Sequence, residues 1–300
     1  MGIRVLKEAD GIALEGFLRR HAESSMFLLS NLRRAGVDFT DRRFAGAYYA
    51  SFSENGMNGV IAHYWNGNLV VQAPNKTALE ALCAAIRNEH TRPVAGVLGP
   101  DTQARRLLTE FGLDGEAFVT NRCEGLYALH LTTLATPPHP DAGTFEIKAA
   151  SAIDRSLLFQ WLKAYDIEAL GSSDDADLDA RMADRVLWLT DKTADCWALV
   201  ADGQPVCLCG FNARLPDMVQ IGPVWTPPEH RGRHYARHLL ARVLETARAD
   251  GVAKAILFTD NPAAITTYEA IGFRRFGDYR LAMLQRPVDS RTNQGQAAPS

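Results

Sequence analysis

Cysteine is scarce in this chain and shows no pairing pattern: Cys83, Cys123, Cys196, Cys207 and Cys209 form an odd, scattered set of five. That excludes a disulfide framework and fits a reducing compartment, so a cytoplasmic protein with buried structural thiols is expected. Long hydrophobic runs are missing too. No apolar stretch approaches the length that spans a bilayer, and Met1-Gly2-Ile3-Arg4 leads into mixed polar sequence without a signal-peptide core. Leu6 stands where N-myristoylation after Met1-Gly2 would need Ser or Thr, so no membrane partner is expected. Charge of one sign is also lacking. With 35 acidic residues against 32 basic ones, the formal net charge of −3 gives no field favouring nucleic acid. The eight histidines show no metal-ligand spacing, and no metal is expected.

What is present is an ordinary globular composition over 300 residues, more than one typical domain. Ile3 to Lys7 reads as a strand, followed by two helices ending near Gly36. Phe44 to Phe52 and Gly59 to Val71 read as strands punctuated by Glu54-Asn55-Gly56 and Asn66-Gly67-Asn68 turns. A helix is predicted over Asn75 to Glu89, a buried strand over Val94 to Leu98 and a helix through Ala104 to Phe111. The order then repeats. Phe145 to Lys148 is a strand, and Leu157 to Leu170 and Leu178 to Leu187 are helices; Trp197 to Val200, Val206 to Asn212 and Met218 to Trp225 are strands. Ala104 to Leu113 also parallels Ala264 to Phe273 at an offset of 160 residues, as an internal duplication would leave it. Thr136-Pro137-Pro138-His139-Pro140-Asp141-Ala142-Gly143 reads as a stiff proline-rich linker. The expected division is a first domain over 1–135, the linker over 136–143, a second domain over 144–287 and a disordered polar tail over 288–300.

The stretch from Asp217 to Phe273 carries the chemistry. The strand Met218 to Trp225 runs through Thr226-Pro227-Pro228-Glu229-His230 into Arg231-Gly232-Arg233-His234-Tyr235-Ala236 and then a helix. Ala236, Leu239, Leu240, Val243, Leu244 and Ala247 mark one buried helix face, and Asp250-Gly251 stops it before the apolar strand Ala255-Ile256-Leu257-Phe258. A helix start has unpaired N–H groups and a partial positive charge, so a basic first turn there suits a phosphate-bearing ligand. Farther on, Asn261-Pro262-Ala263-Ala264-Ile265-Thr266-Thr267-Tyr268-Glu269-Ala270-Ile271-Gly272-Phe273 follows a second pattern.

These two segments, in this order, resemble the GNAT acyltransferase superfamily. Its donor signature is [Gln/Arg]-x-x-Gly-x-[Gly/Ala]: Arg231, Tyr235 and Ala236 fit, and His234 replaces the central Gly. The second segment matches Asn-x-x-Ala-x-x-x-Tyr-x-x-x-Gly-Phe throughout. The resemblance implies an α/β fold of two GNAT-like domains, each a mixed, mostly antiparallel sheet flanked by helices. It implies an acyl-CoA-dependent N-acyltransferase with acetyl-CoA as co-substrate and a small-molecule or peptide amine as acceptor. Carried over, it places Val224 and Thr226 beside the pantetheine arm and the Arg231, Gly232, Arg233, His234, Tyr235 and Ala236 amides on the pyrophosphate. Asn261 serves the turn and touches the donor, and Tyr268 is the general acid. Gln220 stands where some members carry a Glu base, and Glu168, Asp166 and Glu229 are alternative bases among which the sequence does not choose. His234 is expected to take ordinary helical torsions. Val70 to Asn75, opposite Arg231 to Ala236 in the first half, has neither Arg nor Gly, so that half reads as a copy that no longer binds donor. Two rival readings are a non-catalytic acyl-CoA sensor and a tandem biosynthetic acyltransferase of an amino-sugar or thiol pathway. The acidic run Asp174-Asp175-Ala176-Asp177 with Asp179 reads as helix capping, or as an attraction for a cationic acceptor.

Overall fold

The structure, a computed structural model, describes residues 2–89, 92–137, 144–191 and 195–289. Two compact units emerge: unit 1 is Met1–Glu124 with Gly277–Ser300, and unit 2 is Gly125–Phe276.

Unit 1 runs β1 (Gly2–Val5), α1 (Gly11–Arg19), α2 (Met26–Ala35), β2 (Gly46–Ser53), β3 (Gly56–Tyr64), β4 (Asn68–Gln72), α3 (Lys76–Glu89), β5 (Val94–Pro100) and α4 (Asp101–Glu110). The strand β6 (Phe118–His130) follows. Unit 2 takes the same order again: β7 (Phe145–Ala149), α5 (Arg155–Tyr165), α6 (Ala176–Leu189), β8 (Cys196–Ala201), β9 (Gln204–Arg214), β10 (Met218–Trp225), α7 (Tyr235–Ala249), β11 (Lys254–Thr259) and α8 (Pro262–Glu269). The chain then forms β12 (Arg274–Val288). In unit 1 the sheet order is β1-β2-β3-β4-β5-β12, and in unit 2 it is β7-β8-β9-β10-β11-β6. Each sheet is antiparallel except for one parallel pair, β4–β5 or β10–β11. This is the mixed, mostly antiparallel α/β architecture expected, and it occurs twice.

The expected helices form where their patterns place them, and local chemistry fixes their ends. Asp154 accepts from the Leu157 N–H and Asp175 from the Leu178 N–H, capping α5 and α6. In unit 2 the buried face of α7 packs with Cys207, Cys209, Val219, Ile221 and Leu257 on one side of the sheet. Leu158, Trp161 and Leu162 of α5 and Met182, Val186 and Leu189 of α6 pack with Leu208 and Trp225 on the other. Unit 1 buries Ile61, Leu69 and Val97 against Leu82 and Ile86 of α3 and Leu107 and Leu108 of α4.

The units do not divide at the proline-rich stretch. The antiparallel strand beside β5 is β12, with Tyr279 opposite Pro100 and Leu281 opposite Leu98, so the end of the chain completes unit 1. The one beside β11 is the second half of β6, with Lys254 opposite His130 and Thr259 opposite Gly125, so a segment of the expected first domain completes unit 2. Each half has given part of its last strand to the other unit. Neither β6 nor β12 carries a motif, and the sequence pattern left both unlocated. Residues 138–143 of the expected linker and 290–300 of the expected tail lie outside the described residues; β12 continues to Val288.

This exchange predicts how fragments behave. A fragment of residues 144–287 lacks Gly125 to His130 and leaves β11 without its outer neighbour. It should unfold without a cooperative transition, whereas a fragment of residues 118–276 should melt cooperatively by circular dichroism. A sharp transition in the shorter fragment would contradict the exchange.

Candidate functional site

The parallel pair β10–β11 is brief. Met218 faces Lys254, Val219 faces Ala255 and Gln220 faces Ile256, and the pairing ends there. Past that point β11 stays with β6 out to Thr259, and β10 stays with β9, where Trp225 faces Leu208. Two irregularities in the β9–β10 register, on either side of Ile221, turn β10 away. Among the described residues no strand lies on the β11 side of Ile221 to Trp225, so the main-chain groups there that turn away from β9 are open to a ligand, Pro223 having no N–H to offer.

The loop beyond β10 turns through a 3₁₀ segment, Pro228–His230, into Arg231, Gly232 and the start of α7. Gly232 has φ 78° and His234 φ 62° with ψ 15°, both left-handed. This corrects the expectation of ordinary helical torsions for His234: it is the N-cap of α7, outside the right-handed region, and its side chain makes no cap hydrogen bond. A central Gly in the signature meets this torsion without cost, whereas a Cβ there is strained. The first N–H to find an intrahelical acceptor is that of His238, bonded to the His234 carbonyl at 3.1 Å. The Tyr235, Ala236 and Arg237 amides ahead of it therefore remain available.

Arg231, Gly232, Arg233 and His234 are exposed, and Tyr235 and Ala236 are half-buried. The Arg231 side chain, however, turns back along the loop. Its Nε donates to the Thr226 carbonyl at 3.0 Å, its Nη2 to Glu168 Oε2 at 2.9 Å, and its guanidinium lies 5.0 Å from the Trp225 ring centre. Arg231 thus fixes the loop, and what the start of α7 offers a ligand is backbone. The Tyr235 ring packs 6.0 Å from that of Phe145. Val224 is half-buried against the α7 core, and Thr226 Oγ1 donates to Cys207 Sγ at 3.3 Å. Burial pushes the Cys207 thiol up to about 12, which leaves it protonated and unreactive. Of the other cysteines, Cys83, Cys196 and Cys209 are buried and Cys123 is exposed.

Asn261 is the N-cap of α8; its Oδ1 accepts from the Ala263 and Ala264 amides at 2.9 and 3.3 Å. Tyr268 is 8% exposed, and its ring lies edge-on to Phe273 at 5.9 Å. The same cluster contains Ile221 of β10 and Leu257 of β11, so Tyr268 is held on the α7 side of the parting strands. Gly272 ends the helix at φ 107°, where a Cβ would lie 3.1 Å from the Thr133 carbonyl oxygen.

Of the candidate bases, Asp166 is 5% exposed and already engaged: Ser172 Oγ donates to it at 2.8 Å, and Arg185 Nη1 lies at 3.4 Å. Glu168 is paired with Arg231, and Glu229 is exposed in the loop. Gln220 is 2% exposed at the last parallel pair, and its Oε1 has no hydrogen-bond partner among the described residues. In the acidic run Asp175 caps α6, while Asp174 and Asp179 flank Lys163 at 2.6 and 2.7 Å. Sequence reading missed the grip of Glu168 and Trp225 on Arg231; Glu168 lies 63 residues upstream, beyond any local pattern.

The corresponding place in unit 1 is built differently. β4 and β5 pair over Asn68–Gly96, Leu69–Val97 and Val70–Leu98, and they remain close beyond: a Cβ on Gly99 would lie 2.5 Å from Val71 Cγ1. The Ala73 N–H donates to Gln103 Oε1 at 2.6 Å and the Ala78 N–H to Asn75 Oδ1 at 2.9 Å, so side chains fill the approach to α3.

Comparison with known proteins places these features in a family. The model of the acetyltransferase (GNAT) family matches residues 156–273. An acetyltransferase of Agrobacterium fabrum is 34% identical over 116 residues, 39% of this chain and 72% of that protein. A rat protein, N-acetyltransferase family 8 member 2, is 28% identical over 121 residues, 37% of this chain and 52% of the relative; the match thus spans about half of the rat protein. A solved tandem GNAT protein from the clavulanic acid biosynthesis pathway shares the fold with a TM-score of 0.53 at 14% identity, covering 94% of this chain and 97% of that one.

The torsion of His234 gives a direct test. Its side chain is exposed, so His234→Gly removes strain and little else. The substitution should stabilise the protein by about 1 kcal/mol, read as a higher denaturant midpoint. A lower midpoint would show that the imidazole stabilises the loop.

Proposed function

The chain belongs to the acetyltransferase (GNAT) family, and from that premise we propose that unit 2 carries an acetyl group from acetyl-CoA to a primary amine of a small molecule or peptide. The observation that carries this reading is the early parting of β10 and β11, which leads to the open amides at the start of α7. A pantetheine arm has amide groups spaced to add to β10 as a short strand would, and the main-chain groups between Ile221 and Thr226 that turn away from β9 take that role, Pro223 offering only its carbonyl. The backbone amides from Gly232 to Ala236 hold the pyrophosphate, aided by the helix dipole. Acetyl-CoA fits these residues and supplies an activated acyl thioester; no described cluster of side chains suits a metal ion.

The remaining roles follow from chemistry. Tyr268 sits beside the parting strands, where its hydroxyl gives a proton to the departing thiolate of CoA. Gln220 cannot take a proton. The attacking amine therefore arrives neutral or passes its proton to water or to a carboxylate such as Glu229. Arg231 positions the loop through Thr226, Glu168 and Trp225 and acts on binding indirectly. For unit 1 we infer a copy that has lost donor binding. The close approach of Val71 and Gly99 and the side chains of Gln103 and Asn75 support that reading.

A screen of amines and peptides for release of CoA thiol identifies the acceptor class. Calorimetry with acetyl-CoA should give one site per chain; two equal sites would overturn the assignment to unit 1. Binding without CoA release against any amine would favour an acyl-CoA sensor, a reading that Gln220 and His234 keep in view. With an acceptor in hand, Tyr268→Phe should lower kcat by about 10²–10⁴ while affinity and Tm stay near those of the wild type. Wild-type kcat in that variant would reassign Tyr268 to packing.

A further inference from the structure

The strand β7 ends the unit 2 sheet: β8 pairs on one side, and among the described residues no strand lies on the other. Its pairing register runs Phe145–Ala201, Glu146–Val200, Ile147–Leu199, Lys148–Ala198 and Ala149–Trp197. The Asp202 N–H donates to the Thr144 carbonyl at 3.0 Å. In an antiparallel ladder alternate residues turn both main-chain groups to the same neighbour. Thr144, Glu146 and Lys148 thus face β8, and Phe145, Ile147 and Ala149 present their N–H and C=O groups outward.

The side chains alternate as well. Phe145 packs 6.0 Å from the rings of Tyr235 and His238, so Phe145, Ile147 and Ala149 lie on the α7 side. Ile147 is 37% exposed there, in a groove it shares with Ala149, Trp197, Val243 and Thr246. On the opposite side Lys148 Nζ meets Glu146 Oε2 at 3.1 Å, with both charged groups near the middle of the strand.

We propose that β7 pairs with β7 of a second copy of this chain about a twofold axis at Ile147, making a homodimer. The residue pattern is self-complementary about that point. Antiparallel pairing sets Ile147 opposite its own counterpart, Phe145 opposite Ala149, and Glu146 opposite Lys148, each of the last two occurring twice. The outward residues are the ones that hydrogen-bond in this register, giving about six main-chain hydrogen bonds. The two Ile147 side chains cover one another on the α7 side. The four charges form alternating pairs on the other side, where like charges would oppose the register. The end strand of the unit 1 sheet, β1, is unlike this: Arg4 there is tied to Asp10 at 2.6 Å and stacks on Phe52, with no mirror-related partner in the strand.

Sedimentation velocity of the full chain at low to high micromolar concentration tests this without any ligand. The wild type should sediment as a dimer. Glu146→Lys or Lys148→Glu alone sets like charges opposite each other twice and should raise the dimer Kd about tenfold. The double variant, Glu146→Lys with Lys148→Glu, should restore the wild-type Kd. Ile147→Pro removes an outward N–H while leaving the β8 ladder intact, so it should give a folded monomer with unchanged far-ultraviolet circular dichroism. A monomeric wild type would mean that the charges guard a free edge, and it overturns the proposal. A dimer that survives Ile147→Pro, or charge reversals that are not rescued by the double variant, overturns it too.

Discussion

A strand that loses its neighbour midway along must find other partners for its main-chain groups, and the candidate site of this protein is built on that necessity. β10 and β11 share only three residue pairs before they part. Around the gap lie an irregular register against β9, the α7 core against Ile221, and the clasp of Arg231 on Thr226, Glu168 and Trp225. The clasp is half-exposed, so its worth lies in geometry more than in stability. It fixes the path between the end of a strand and the start of a helix, where a shift of one residue would turn the amides of α7 elsewhere.

Unit 1 shows the same necessity met from within. Its two parallel strands stay in contact at Val71 and Gly99, and the amides near the start of α3 bond to Gln103 and Asn75. Two units with the same order of elements thus differ in whether main-chain groups are satisfied by the chain or left for something else. The difference comes down to a few residues. Arg, Gly and a basic turn stand in one, and an Asn cap with a Gln reaching across stands in the other.

Much of this was legible in the sequence because the informative features are local. The periodicity of α7, the pattern from Asn261 to Phe273 and the repeated order of elements all lie within short windows, and the structure has the helices and strands they call for. Asn261 caps α8, as a residue of its type before Pro262 should. What was not legible depends on distance or torsion. The His234 conformation is set by the loop as a whole. The partner of Arg231 comes from a different helix pair. The strands β6 and β12 are unremarkable in pattern, and which sheet each completes is decided by pairing with strands far away in sequence. Arg280 of β12, bonded to Asp101, reaches back across 179 residues.

That reach has a consequence during synthesis. The sheet of unit 1 wants a strand that leaves the ribosome only after every strand of unit 2, while the second half of β6 is destined for unit 2. Until β12 is made the outer edge of β5 therefore waits uncovered, and a nascent chain with an open edge is prone to mispairing. Unit 2 has all of its strands once Thr259 has emerged, since β6 precedes it. Unit 1 accordingly receives its last strand after unit 2 is complete, although most of its strands are made first.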